Sequence, residues 1–248
     1  ERPLATSQYF ARLTQRLVAA ITAPTSEGVL YQADMRLRPS GNAGPLASSL
    51  NAFRIYQAES AWTWEHQALT RARVVAADDG LGQRIEAAIG DELSRQRDAG
   101  KVVDDVLEMR ALMAKERPAR HPFDLKLVGG GLVDLEFIAQ SAQLLARKTI
   151  ARPQAPTAQV LARLGEVDLV PEGARLALIH GVYSTVLQVM SAALSDPFRD
   201  DGWTDAFREL VAQLANAPSF SRLVEDLDEM RGEVRDAAAR WYERARTL

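Results

Sequence analysis

Three short segments concentrate the residue types that do chemistry. In the first, Asp34-Met35-Arg36-Leu37-Arg38-Pro39-Ser40-Gly41, a carboxylate and two guanidinium groups recur at every second position. In an extended chain, side chains two apart share a face, so this spacing gathers Asp34, Arg36 and Arg38. Such a set suits a metal–nucleotide site, with Asp34 as a ligand for a hard cation such as Mg²⁺ and the arginines balancing phosphate charge. The same pattern fits a solvated strand face whose surface ion pairs contribute little, and pattern alone leaves both readings open. Gly41-Asn42-Ala43-Gly44-Pro45 follows as a tight loop.

The second segment, Trp62-Thr63-Trp64-Glu65-His66-Gln67-Ala68-Leu69-Thr70-Arg71-Ala72-Arg73, holds two of the four tryptophans. Aromatics at this density read first as core, and His66 as a hydrogen-bonded structural residue. His121 and His180 are distant in sequence, with no ligand spacing that suggests a histidine metal site. In the third segment, alternation puts Lys126 on one face with Asp124, and Gly129-Gly130-Gly131 then opens a helix carrying Asp134 and Glu136. Glycines before a helix expose backbone N–H groups able to hold an anion. The competing reading is a hinge between two regions, with the two acids complementing the helix dipole.

The elements that must position these groups are mostly helical. Alternation over Val29 to Leu37, Leu30 included, predicts a strand. Shorter ones are expected at Phe123–Leu127 and Arg73–Val75. Ser7 is read as the cap of a helix with Phe10, Leu13, Leu17 and Ile21 on one stripe. Further helical patterns begin near Ser49, Leu81, Lys101, Val133, Thr157 and Glu172. They are punctuated by Pro118, Pro122, Pro153, Pro156, Pro171, Pro197 and Pro218, because proline cannot continue a helix. The clearest stripe is Leu223, Leu227, Met230, Val234, Ala237 and Trp241, spaced for one face packed on a bundle. Residues 1–78 thus mix strand and helix, and residues 79–248 are nearly all helix. The expected class is mainly α with a partial α/β region.

Composition excludes several functions. The 248 residues carry 47% hydrophobic and 25% charged side chains, with net charge -3, too balanced for binding nucleic acid or membrane through bulk charge. With no cysteine there is no disulfide, no Cys-ligated zinc and no thiol nucleophile. No uninterrupted apolar run approaches the ~18 residues of a membrane span, and no signal peptide is read at the start. The expected location is cytoplasmic.

Together, in this order, the three segments resemble the glutamine synthetase adenylyltransferase family. The likeness runs from Tyr9-Phe10-Ala11-Arg12-Leu13 past Glu136-Phe137-Ile138 and weakens after Arg147. The resemblance implies a polymerase-β-type nucleotidyltransferase domain followed by a helical domain. Such enzymes carry two halves, one adding AMP to glutamine synthetase and one removing it. Arg38-Pro39-Ser40-Gly41 and Trp62 to His66 look like the adding half. Leu127-Val128 departs from the family pattern, where a Gly or Pro is commoner before the glycines.

The resemblance further implies a pair of Mg²⁺ ions held by three carboxylates, with Asp34 matching the third, metal-bound and catalytic. Arg36, Arg38 and Lys126 become the candidates for binding the phosphates of ATP. The family's Gly-Ser…Asp-x-Asp motif occurs nowhere in this sequence, so residues 1–78 are expected to be the later part of the catalytic domain, inactive alone. Glutamine synthetase and a PII-type signalling protein are the implied partners, and control of nitrogen assimilation the implied role. Two alternatives stay open: the phosphorolytic removing half, and a non-catalytic regulatory or docking module.

Overall fold

The computed structural model describes residues 4–26, 28–29, 31–146, 155–199 and 202–248. Leu30, Arg147 and Pro153 of the sequence reading lie outside them. The described residues form ten α-helices, a short 3-10 turn and one two-stranded ladder. The chain is mainly α.

Two compact units divide it: residues 1–69 with 74–92, and residues 70–73 with 93–248. In the first, α1 (Thr6–Thr22) begins after Ala5 with no side-chain cap, so Ser7 lies inside the helix rather than capping it. Its Phe10, Leu13 and Leu17 stripe forms as expected but stays exposed. β1 (Pro24–Thr25) and β2 (Gly28–Val29) pair antiparallel. Then come α2 (Leu50–Glu59), capped by Ser49 accepting the Ala52 N–H, α3 (Thr63–Leu69) and α4 (Asp79–Leu93).

The second unit contains α5 (Ala99–Glu116), α6 (Leu132–Leu145), α7 (Thr157–Glu166), α8 (Gly173–Ala193), α9 (Asp205–Leu214) and α10 (Phe220–Ala245). One core runs through it, from Val103 and Leu125 to Trp241 and Ala245. On α10, Leu223, Leu227, Val234, Ala237 and Trp241 are buried and Met230 partly so, which is the stripe the spacing predicts. The Trp241 indole N–H is not sacrificed to this burial, because it donates to Ser141 Oγ at 2.8 Å. The prolines at 118, 122, 156, 171, 197 and 218 all fall outside the helices.

Three sequence expectations need correction. The strand over Val29–Leu37 is not formed among the described residues: β2 stops at Val29, residues 31–35 have no regular structure, and a turn begins at Arg36. Alternation makes a segment suitable for a ladder, but a ladder also needs a neighbouring strand, and none is described beside it. Phe123–Leu127 is a run of turns, with the Leu127 and Val128 N–H groups both on the Asp124 carbonyl. Residues 73–75 form no strand either. Last, α8 is long and apolar enough to cross a membrane by length and composition. It buries Leu176, Ile179, Tyr183, Val186 and Met190 on one side and packs against α6, α7 and α9 as the central helix of a bundle.

Leu161 on α7 is fully buried, whereas Leu178 on α8 is 65% exposed. Leu161→Ala should cost about 2–5 kcal/mol, and Leu178→Ala should stay within about 0.5 kcal/mol of the parent. Denaturant unfolding of both variants checks the burial pattern, and equal losses would contradict it.

Candidate functional site

Asp34 and Arg36 meet, as their spacing predicts, though in a turn rather than on a strand. Asp34 Oδ1 accepts the Arg36 backbone N–H at 3.0 Å, which folds the chain back on itself. The guanidinium then grips the carboxylate: Nε lies 3.0 Å from both oxygens and Nη2 2.6 Å from Oδ2. The side chains are 64% (Arg36) and 56% (Asp34) exposed. The Arg36 hydrogen bonds hold the Asp34 carboxyl down at about 2, and Asp34 in turn raises Arg36. The result is a solvated carboxylate, ionised at neutral pH and paired with an exposed guanidinium.

Arg38 is used differently. Its Nη1 donates to the Met35 carbonyl at 2.6 Å, Nε to Gly44 at 3.3 Å and Nη2 to Asn42 at 3.4 Å. The loop it closes is already compact, with Gly41 N–H on the Arg38 carbonyl at 2.8 Å and Ala43 N–H on Ser40 at 3.1 Å. A Cβ at Gly44 would sit 1.9 Å from the Pro39 carbonyl oxygen, so only glycine closes this turn. The guanidinium plugs carbonyls; it does not point beside Asp34 and Arg36.

The tryptophan-rich segment forms α3, and its polar residues tie helices together. Glu65 is the third residue of the helix, and its carboxylate reaches back to the Trp62 N–H at 2.9 Å, half of a capping box. The same carboxylate accepts the Tyr56 hydroxyl of α2 at 2.9 and 3.1 Å. His66 Nε2 donates to the Gln57 carbonyl at 3.0 Å and lies 3.4 Å from Glu92 of α4. His66 is structural, as read. Trp62, expected in the core, is 68% exposed. Tyr56 and Gln57 were not singled out in the sequence; the signal available was a Glu three residues after a helix start.

Lys126 belongs to the second unit. It is exposed, while Asp124 is buried, so the two do not share a face. The reason is the turn: alternation holds only for extended chain. The glycine run is neither an open anion cradle nor a hinge between regions. Gly130 N–H donates to Asp134 Oδ2 at 2.6 Å, Gly131 N–H to Val128, Leu132 N–H to Leu125, and Val133 N–H to Lys126. Arg110 of α5 pairs with Asp134 at 2.5 Å and reaches the Leu127 and Val128 carbonyls at 3.3 Å. Arg235 of α10 holds the Gly129 carbonyl at 3.1 Å. The donors an anion needs are spent, and the turn lies wholly within one compact unit. Glu136 pairs with Arg71 at 3.1 Å.

Among the described residues no three His, Asp or Glu side chains gather as a metal site. His121 accepts the Phe123 N–H at Nδ1 and stacks on Trp203, and burial lowers His180.

Comparison with known proteins identifies the lineage. Residues 1–88 match the glutamate-ammonia ligase adenylyltransferase family. The chain is 47% identical over 241 residues to a bifunctional glutamine synthetase adenylyltransferase/adenylyl-removing enzyme of Brucella suis biovar 1 (strain 1330), covering 96% of this chain and 24% of that protein. Residues 1–88 of the chain thus carry this family's domain. Enzymes of the same name from Mesorhizobium japonicum (strain LMG 29417 / CECT 9101 / MAFF 303099) and Rhodopseudomonas palustris (strain HaA2) are 42% and 43% identical, each matched over 95% of this chain and 24% of its own length. The chain thus spans about a quarter of the length of the adenylyltransferase relatives it matches.

Two outcomes test this geometry. Arg36→Gln removes the cause of the depressed Asp34 carboxyl, so its midpoint should rise from about 2 toward its ordinary value of 3.8, read by NMR titration. The pairing is present above the ordinary carboxylate range and lost only as pH falls through about 2; because both groups are exposed, stability at neutral pH should not change measurably. At Gly130, φ is +81° and an added Cβ would lie 2.2 Å from the Arg231 carbonyl oxygen. Gly130→Ala should therefore destabilise the second unit by about 2 kcal/mol or more in thermal unfolding.

Proposed function

We propose that this chain is part of an enzyme that transfers AMP from ATP to a tyrosine of glutamine synthetase and so controls nitrogen assimilation in the cytoplasm. The observation that carries the reading is Asp34: an exposed carboxylate, ionised at neutral pH and paired with Arg36, within the stretch that matches the family. In this reading residues 1–78 belong to a polymerase-β-type nucleotidyltransferase domain and 79–248 to the helical domain that follows. Pro39-Ser40 and Trp62 to His66 favour the adding half over the phosphorolytic removing half.

The chemistry is an in-line displacement. The tyrosine oxygen bonds to the α-phosphorus, the bridging P–O bond to the β-phosphate breaks, and pyrophosphate leaves with the electron pair. A tyrosine hydroxyl with a pKa near ~10 needs its proton taken at neutral pH. Asp34 accepts it, or passes it to water, while Arg36 leaves the carboxylate to balance charge on the phosphates. An exposed ion pair contributes little, so this exchange is inexpensive. Arg38 and Lys126 remain candidates for phosphate binding, Lys126 the freer of the two because it is exposed. Bound Mg²⁺ would stabilise developing charge on the phosphate oxygens. Asp34 fits as one hard oxygen ligand, but the described residues hold no complete site, so no step is drawn through the metal. A PII-type signalling protein is the proposed regulator.

The absence of a three-acid cluster among the described residues favours a second reading, a regulatory or docking module without catalysis of its own. A chimera separates the two, with these residues replacing the matching quarter of the Brucella suis relative. Asp34→Asn keeps shape but removes the charged ligand, and AMP incorporation should fall at least ~100-fold at saturating Mg²⁺, in line with loss of a principal charge stabiliser. Near-parental transfer would leave the docking reading. The 248 residues alone should show no transfer.

A further inference from the structure

Helix α1 has nothing local to hold it. Ala5 before it makes no side-chain cap, its first turn carries no acid and its last turn no base. A helix in a protein draws most of its stability from packing an apolar face, yet none of the 17 residues of α1 is buried. Ala11, Thr14, Val18 and Ile21 form one line along it, half-buried. Phe10, Leu13 and Leu17 form the neighbouring line with Tyr9 beside it; Tyr9 is 54% exposed, Phe10 and Leu13 48%, and Leu17 58%. The Tyr9 and Phe10 rings pack edge to face with centroids 5.2 Å apart, so one end of this stripe is already ordered. Arg12 and Arg16, one turn apart on its edge, are exposed. Among the described residues neither has a hydrogen-bond or ion-pair partner, and α1 contains no acidic residue.

We propose that the Tyr9–Leu17 face of α1 is a docking surface for the part of an adenylyltransferase chain that lies outside the quarter matched here. The surface that docks is apolar, with carboxylates along the Arg12–Arg16 edge. Three observations select this occupant. The matched relatives are about four times as long as this chain, so most of such a protein is available to cover the stripe. The helix lies inside the stretch that carries the family's domain. Two unpaired guanidinium groups on an acid-free helix call for an acidic border opposite them. A second copy would set those arginines against their own kind. An anionic membrane would attract the two arginines but repel a chain of net charge -3. The choice of occupant deepens the function proposed above, in which Asp34 needs carboxylates that the described residues do not gather; the exposure of the stripe does not depend on that reading.

The chain has no cysteine, so single thiols report on this face directly. Leu13→Cys places one on the stripe and Gln15→Cys one on the opposite, polar side. In the 248-residue chain a maleimide should label both at similar rates, read by peptide mass. In the Brucella suis chimera Leu13→Cys should label at least ~10-fold more slowly, with Gln15→Cys within about twofold of its rate in the short chain. Adding Arg12→Glu and Arg16→Glu, which disturb no contact within the described chain, should return most of the Leu13→Cys labelling. Where the chimera does not fold, a thiol at the position aligned with Leu13 in the intact relative gives the same reading. Fast labelling of the stripe in the longer chain overturns the proposal, as does equal slowing of both thiols. Protection in the short chain that grows with its concentration would mean a second copy, and protection that needs anionic vesicles a membrane; either overturns it. Protection indifferent to the charge reversal overturns the acidic border. Labelling is read without ATP, so an Asp34→Asn variant that still transfers AMP would remove the catalytic reading and leave the docking face standing on its own measurement.

Discussion

The second unit hangs on the carboxylate of Asp134. It closes the glycine turn by accepting the Gly130 N–H, and it draws in Arg110 from α5, whose remaining donor covers two carbonyls of the same turn. With its own polar groups satisfied, the turn can lie against the backbone of α10 at Arg231, closer than any side chain would allow. Three helices therefore meet at a point where unpaired N–H and C=O groups would otherwise be buried, each costing ~1–3 kcal/mol. The apolar core beyond runs from Leu125 through Ile138 to Val234 and Trp241.

Arginine does the same service throughout the molecule. Arg38 covers carbonyls in its own loop, Arg231 that of Pro122, Arg235 that of Gly129 and Arg244 that of Asp168. A planar fork of five donors suits irregular backbone, where carbonyls point in several directions at once. An arginine near a glycine-rich loop in sequence therefore has two quite different destinies: it can face a phosphate, or it can hold the loop. Net charge and spacing are identical in the two cases. Arg36 and Arg38 sit two residues apart and divide along that line, Arg36 on an exposed carboxylate and Arg38 on carbonyls.

What was legible in the sequence follows from this. Helical stripes such as Leu223 to Trp241 were readable because the sharing of one helix face depends on local period alone; whether that face is covered does not, as the exposed α1 stripe shows. Asp34 and Arg36 were readable as a pair because groups two apart come together in a strand and in a tight turn alike. Strands were not readable, since alternation at 29–37 says nothing about a neighbour. Lys126 and Asp124 were wrongly placed together for the same reason: the turn bonds on the Asp124 carbonyl replace extended chain there. The glycine run was misread because the Gly130 and Gly131 amides are claimed by the Asp134 carboxylate and the Val128 carbonyl, four and three residues away, and the Leu132 and Val133 amides that follow by carbonyls seven residues back.

The two units also rest on different chemistry. Among the described residues of the first, the buried apolar side chains are Leu69, Ala88 and Ile89, and Gln57, Glu65, Gln67 and Glu92 are buried there as well. So much buried polarity against so little apolar burial makes the unit depend on directional bonds, of which the Tyr56–Glu65 and His66–Gln57 contacts are the centre. Hydrogen bonds contribute a net ~0.5–1.5 kcal/mol each, less than a buried leucine, and they fail abruptly when a partner moves. The unit that carries Asp34 is thus held by geometry more than by mass of core, placing it at the low-stability end of the molecule where local opening is easiest.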